Sequence, residues 1–145
     1  MKVTHQFVEF VPEQLQDGVL YVSVVYATVA HKCCCGCGYE VVTPLTPTDW
    51  KLLFDGETVS LEPSIGNWSF PCESHYWIRR NKVQWAGKWT RQQIQVGRER
   101  DAVQKRRYLQ AAEQPGTAAK VAAPPKPSVP PSSFWRTLAR RFRGR

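Results

Sequence analysis

Hydrophobic positions crowd the first ninety residues of the chain and thin out afterwards. Gly18 to Lys32 (GVLYVSVVYATVAHK) is dense in Val, Tyr and Thr, and neither alternation face is cleanly polar. That pattern predicts one long strand buried on both faces. Gly36 and Gly38 break it, and Tyr39 to Leu45 predicts a returning strand. Pro44 and Pro47 mark a loop. Trp50, Leu52 and Phe54 then alternate, Asp55-Gly56 is a strong turn signal, and Val59 and Leu61 alternate on the way back. Tyr76 to Ile78 and Val83 to Trp85 flank Arg79-Arg80-Asn81-Lys82 as a third hairpin. The expected fold class is mainly β, a small antiparallel, hairpin-rich domain over residues 1–88.

The texture changes near residue 89. Thr90, with Gln93 three positions on, has the form of a capping box opening a helix, expected over 89–113. Its apolar stripe (Ile94, Ala102, Val103, Leu109) is ragged, and Arg98, Arg100, Lys105, Arg106 and Arg107 make it basic. Residues 114–131 hold six of the eleven prolines and read as an extended linker without a core. In residues 132–145 (SSFWRTLARRFRGR), Phe134, Leu138 and Phe142 fall at i, i+4 and i+8 among arginines. This is a basic amphipathic peptide too short to be stably helical alone, and the tail as a whole is expected to be disordered.

Composition narrows the class. With 145 residues, 42% hydrophobic and 12% aromatic, the chain has enough apolar surface for a core, which excludes a wholly disordered protein. No apolar run approaches the roughly 18 residues of a membrane span. Met1 to Pro12 lacks the apolar centre of a signal peptide, so a cytoplasmic location is expected. The net charge of +8 conceals a division. Residues 1–78 hold three Lys/Arg and nine Asp/Glu, whereas residues 79–145 hold seventeen and three. The basic tail suits an acidic protein, a nucleic acid (with Trp85, Trp89 and Trp135 to stack on bases) or an anionic membrane surface.

Four of the five cysteines fall in five positions: Cys33, Cys34, Cys35 and Cys37, with Cys72 far downstream. An odd, clustered set is a poor disulfide framework. Cys72-Glu-Ser-His75 supplies a second thiol and an imidazole, and Zn2+ takes four such ligands. On an extended strand Cys33, Cys35 and Cys37 share a face that Cys34 does not. The candidate ligands are therefore Cys33, Cys35, Cys37, Cys72 and His75, with a Cys34-x-x-Cys37 knuckle as competitor. A zinc-binding β domain results, its ion pinning two hairpins that a small domain holds poorly by itself. Buried free thiols beside an incidental histidine are the plain alternative.

The block His31-x-Cys33-x-Cys35-Gly36-Cys37-Gly38, and the block Pro63 to Trp77 (PSIGNWSFPCESHYW), resemble the BubE family of small bacterial proteins. The similarity runs over about residues 5–86. The position of Cys34 is free in that family's pattern. The resemblance implies a role in a bacterial ubiquitin-like conjugation pathway, with a ubiquitin-like modifier and E1/E2-like proteins as partners. It points to a hydrolase that trims or deconjugates the modifier, and it does not extend to the basic helix or tail.

Acyl transfer needs a nucleophile, a base and donors for the oxyanion. Cys34 is one candidate nucleophile and Ser64 the better one, expected in a glycine-containing loop where backbone N–H groups and the Asn67 amide converge. His75 is the base if four thiolates hold the metal, and His31 replaces it if His75 is a ligand. Glu9, Asp55 and Glu73 are candidate orienting carboxylates. There is no G-x-S-x-G elbow and no H-E-x-x-H helix. A zinc adaptor that binds the modifier, its enzymes or nucleic acid without turnover is the other function these residues allow.

Overall fold

The computed structural model describes residues 1–113; the linker and terminal peptide expected beyond them lie outside the described residues. Strands β1 (Thr4–Phe7), β2 (Val19–Ser23), β3 (Thr28–Lys32) and β4 (Glu40–Pro44) form one sheet in chain order. Strands β5 (Lys51–Phe54), β6 (Val59–Gly66), β7 (His75–Arg79) and β8 (Lys82–Trp85) form a second, also in chain order. Helix α1 (Arg91–Glu113) follows. The β-rich, hairpin-built expectation holds, with one exception: β1 pairs with β2 in parallel.

The single strand expected over Gly18–Lys32 is two. It turns through Val24-Val25-Tyr26-Ala27, with Ser23 facing Thr28 and Ala27 at φ 46°. Ser23 makes the turn without glycine or proline: its hydroxyl accepts from Tyr26 N–H and donates to the Glu9 carbonyl. Burial on both faces does hold for β2. Leu20 and Val22 face the second sheet, while Val19 and Tyr21 are covered by Leu15 from the preceding loop.

The main core lies between the sheets. Leu20, Val22, Val29 and Val41 of the first, with Val3 just ahead of β1, meet Val59, Leu61, Ile65, Tyr76, Ile78 and Val83 of the second. Burying each such aliphatic side chain contributes about 1.5–3 kcal/mol. An antiparallel bridge between Lys2 and Lys82 ties the β1 end of one sheet to the β8 edge of the other.

Strand β6 runs further than its alternation predicts, carrying Ser64 on a strand and not in a loop. Pro63 has no N–H for the ladder, and the register shifts between Leu61 and Ile65 before pairing resumes as Ile65 with Tyr76 and Gly66 with His75. Elsewhere the turn chemistry works as read. Asp55 accepts from the backbone N–H groups of Glu57 and Thr58 and from the Thr58 hydroxyl. Thr90 and Gln93 form the reciprocal capping box, at 3.2 and 2.8 Å. Helix α1 buries no residue, and Lys105 holds it to Asp49 at 2.6 Å.

Candidate functional site

Two constellations grow from one stretch of chain, Asn67 to His75. Asn67 N–H donates to the Ser74 carbonyl, Phe70 N–H to the Asn67 carbonyl and Glu73 N–H to the Phe70 carbonyl, so this stretch closes as a turn. A second turn spans the cysteine run, where Gly36 N–H donates to the Cys33 carbonyl and Cys33 N–H to that of Tyr39. Gly36 and Gly38 sit at φ 82° and 83°, the left-handed region that glycine enters without strain. Tyr39 of one turn stacks on Phe70 of the other at 4.9 Å.

The two turns bring the thiols of Cys33, Cys35, Cys37 and Cys72 within 4.8 Å of one another, a group that can hold a metal ion. Sulfur separations are 3.3 Å for Cys33–Cys35, 4.0 Å for Cys33–Cys72 and 3.6 Å for Cys37–Cys72. Neither Cys34 nor His75 belongs to the group. Cys34 is instead a separate buried thiol, and burial pushes it up to about 11. Within the group, desolvation and the Cys37 and Cys33 thiols push Cys35 up to about 12. Desolvation works against Cys72 too, but the Ser74 hydroxyl and backbone N–H outweigh it and draw that thiol down to about 7. Thiols this close do not all ionise without a cation among them.

Behind the thiols lies a buried polar chain. Ser74 Oγ is 3.0 Å from Cys33 Sγ, and Asn67 Nδ2 donates to Ser74 Oγ at 2.9 Å and reaches Tyr76 OH at 3.4 Å. Tyr76 OH meets His31 Nε2 at 2.9 Å. Burial lowers His31 to about 4, so it is a neutral interior group. The Asn67 amide, read from sequence as an oxyanion donor, is thus committed to this interior chain.

His75 points the other way. Ser74 and His75 are successive residues entering β7, and successive side chains on a strand leave opposite faces. His75 Nε2 is 2.9 Å from Ser64 Oγ, and His75 Nδ1 is 3.0 Å from the Gly87 carbonyl oxygen. A carbonyl only accepts, so Nδ1 carries the proton and Nε2 is free to accept the Ser64 hydroxyl hydrogen. Neither Glu9, Asp55 nor Glu73 has a hydrogen bond to His75; Gly87 stands where a carboxylate was expected.

Three tryptophans surround the pair. Trp68 lies 4.9 Å from the His75 ring, Trp89 5.2 Å and Trp77 5.7 Å, and Trp68 stacks on Trp89 at 5.6 Å. They leave His75 only 5% exposed. Gly66, opposite His75 in the register, makes room for them. A Cβ there would fall on the Trp68 indole, 2.6 Å from Cε2 and closer still to Nε1. The Gly66-x-Trp68 spacing is the sequence signal that this indole folds back over the strand.

The second sheet thus carries a hydrogen-bonded serine and histidine on its outer face, and four thiols able to hold a metal ion converge beside it. The family model for the bacterial ubiquitination-like system serine protease (BubE) matches residues 7–86, and the chain belongs to that family. Neither the curated proteins nor the solved structures give a match. Among the described residues no helix is long and apolar enough to cross a membrane.

Proposed function

We propose that the protein is a zinc-stabilised serine hydrolase that processes or deconjugates a ubiquitin-like modifier in a bacterial conjugation pathway. The observation that carries this reading is the 2.9 Å contact of Ser64 Oγ with His75 Nε2, its tautomer fixed by Gly87. Ser64 Oγ attacks the acyl carbon while its proton passes to Nε2, and the carbonyl electron pair moves onto oxygen. Collapse of the tetrahedral intermediate breaks the bond to the leaving amine or alcohol, which takes the proton from Nε2. Water then attacks the acyl-serine in the same way, releasing the acid and restoring Ser64. For the oxyanion, a free donor on this face is the Trp68 indole N–H, which has no hydrogen-bond partner among the described residues and lies over Gly66, two residues from Ser64.

In this reading His75 is the base, and Cys33, Cys35, Cys37 and Cys72 hold the metal. Four thiols within 4.8 Å of one another are a donor set that would suit zinc and would hold it from both turns at once. Four thiolates leave no open position, so a bound zinc supplies structure and not Lewis acidity. The modifier and its E1/E2-like enzymes are the partners this reading requires.

The test is cleavage of a modifier–reporter fusion by the purified full-length protein. Ser64→Ala and His75→Ala should each abolish cleavage, and Ser64→Ala should leave the metal content unchanged. Cleavage that survives both substitutions overturns the reading; binding of the modifier with no turnover assigns an adaptor instead.

A further inference from the structure

The face of the second sheet that carries Ser64, Gly66, His75 and Trp77 continues past them. Alternation places Ser60 and Glu62 of β6, Arg79 of β7, and Lys82 and Gln84 of β8 on the same outer face, and with Arg80 at the hairpin they line a depression of about 430 Å³. A second depression adjoins it, lined by Lys2, Lys82 and Gln84. Arg79 links the two ends of the face. Its guanidinium lies 5.3 Å over the Trp77 ring, and Trp77 packs against His75. Four residue steps along β7 lead from His75 to Arg79, about 13 Å at 3.3 Å per step.

The charge here is out of keeping with its surroundings. Residues 1–88 hold seven Lys/Arg against nine Asp/Glu, yet four of the seven (Lys2, Arg79, Arg80 and Lys82) meet at this end of the sheet, around the single carboxylate Glu62. Two ion pairs occur among the described residues, Lys32–Asp17 and Lys105–Asp49, and neither involves these four. Arg80 also occupies a left-handed backbone position, φ 47°, that asparagine or glycine fills at less cost.

We infer that this basic strip receives an acidic segment of the polypeptide substrate, next to the acyl bond brought to Ser64. The inference rests on the hydrolase reading and extends it to the chemistry of the substrate. Continuity with the Ser64 face favours a polypeptide: whatever fills the strip runs to within a few residues of the nucleophile. Glu62 in the floor disfavours the unbroken charge of a phosphodiester chain, whereas a peptide can space its carboxylates around it.

Two fluorogenic peptides with a central ester test it, one flanked on both sides by Glu and one by Lys, with p-nitrophenyl acetate as a small ester that does not reach the strip. With the full-length protein at low salt, the double substitution R80E/K82E should lower kcat/KM on the Glu peptide about ten- to a hundredfold and leave acetate turnover unchanged. Raising salt to about 0.5 M should weaken the wild type on the Glu peptide in the same direction, as the screening length shrinks. Arg80→Asn and Lys82→Gln, which the hairpin tolerates, should give smaller losses of the same kind. Binding of the Glu peptide to Ser64→Ala, read by anisotropy, measures the strip without hydrolysis. Equal binding of the Glu and Lys peptides, or equal losses on peptide and acetate, overturns the inference. Displacement of the Glu peptide by a DNA oligonucleotide of equal charge at lower concentration overturns it in favour of a nucleic acid. A wild type that hydrolyses no ester while the strip still selects the Glu peptide sinks the serine reading alone.

Discussion

The thiol cluster and the serine–histidine pair stand three residues apart in the chain, at Cys72 and His75, and are held by opposite means. The cluster gathers four like-ionising groups from two turns about 35 residues apart, with no regular pairing between those turns. The pair sits on neighbouring strands whose register sets Gly66 against His75, under a cover of three tryptophan rings. On the reading proposed above, the first site is held by a cation, while the second needs only a correctly started β7. The dependence therefore runs one way. On that reading, disturbing the thiols should loosen the turn that delivers His75, whereas removing the Ser64 hydroxyl should leave the thiols untouched.

The sharpest way to break that asymmetry is at Cys72. Cys72→Ser, or prolonged chelation, should reduce bound metal from one ion per chain to none, by elemental analysis. Metal binding in small domains supplies about 10 kcal/mol or more of folding energy. The substitution should therefore unfold the 67–75 turn, lower the melting temperature by tens of degrees and abolish hydrolysis as well. Hydrolysis that persists without metal would show the two sites to be independent.

Trp68→Phe tests the other side of the comparison. The ring stack remains and the N–H is lost, so kcat should fall about a hundredfold with KM little changed. The metal content and melting temperature should stay within error of the wild type. A fall in stability without a kcat effect would make Trp68 a covering ring only.

Asn67→Ala strikes the polar chain between the sites. It leaves the Ser74 and Tyr76 hydroxyls short of a buried partner, and should cost about 1–3 kcal/mol in denaturant unfolding. Metal affinity should fall with it, because Ser74 then loses its hold on Cys33.

The smallest effect lies far from both sites, at the β5–β6 turn. The Thr58 hydroxyl and backbone N–H, with that of Glu57, hold the Asp55 carboxyl down at about 2, below its ordinary 3.8. The stability this group contributes is present above about pH 4 and is lost as pH falls through the folded value. The melting temperature of Asp55→Asn should trail the wild type by a constant small margin above pH 4, and the margin should close between pH 4 and 2.

Much of this was legible in the residues themselves. Asp55-Gly56, the Arg80-Asn81 hairpin and the Thr90–Gln93 box are short-range devices whose chemistry is complete within four residues. The convergence of Cys35, Cys37 and Cys72 was legible in part: the sequence put His75 with them and Cys33 fifth, whereas the structure gathers Cys33 through two glycine-dependent turns and sends His75 to the opposite face of β7. The turn at Val24–Ala27 was hidden because its residues are apolar, and the device that makes it, the Ser23 hydroxyl, contacts Glu9 fourteen residues back. The Gly87 carbonyl was hidden for a related reason: a backbone acceptor leaves no mark in a sequence. Asn67 read as a free donor because only the fold reveals that Ser74 and Tyr76 claim it.

Trp89 has a neighbour whose importance is easily passed over: the next residue, Thr90, is the cap of helix α1. That helix fully buries no side chain, and it meets the rest of the fold through the Lys105–Asp49 pair and through Gly97, which lies against the Trp89 ring. The start of the helix and the covering of His75 are therefore set by the same two neighbouring residues, Trp89 and Thr90.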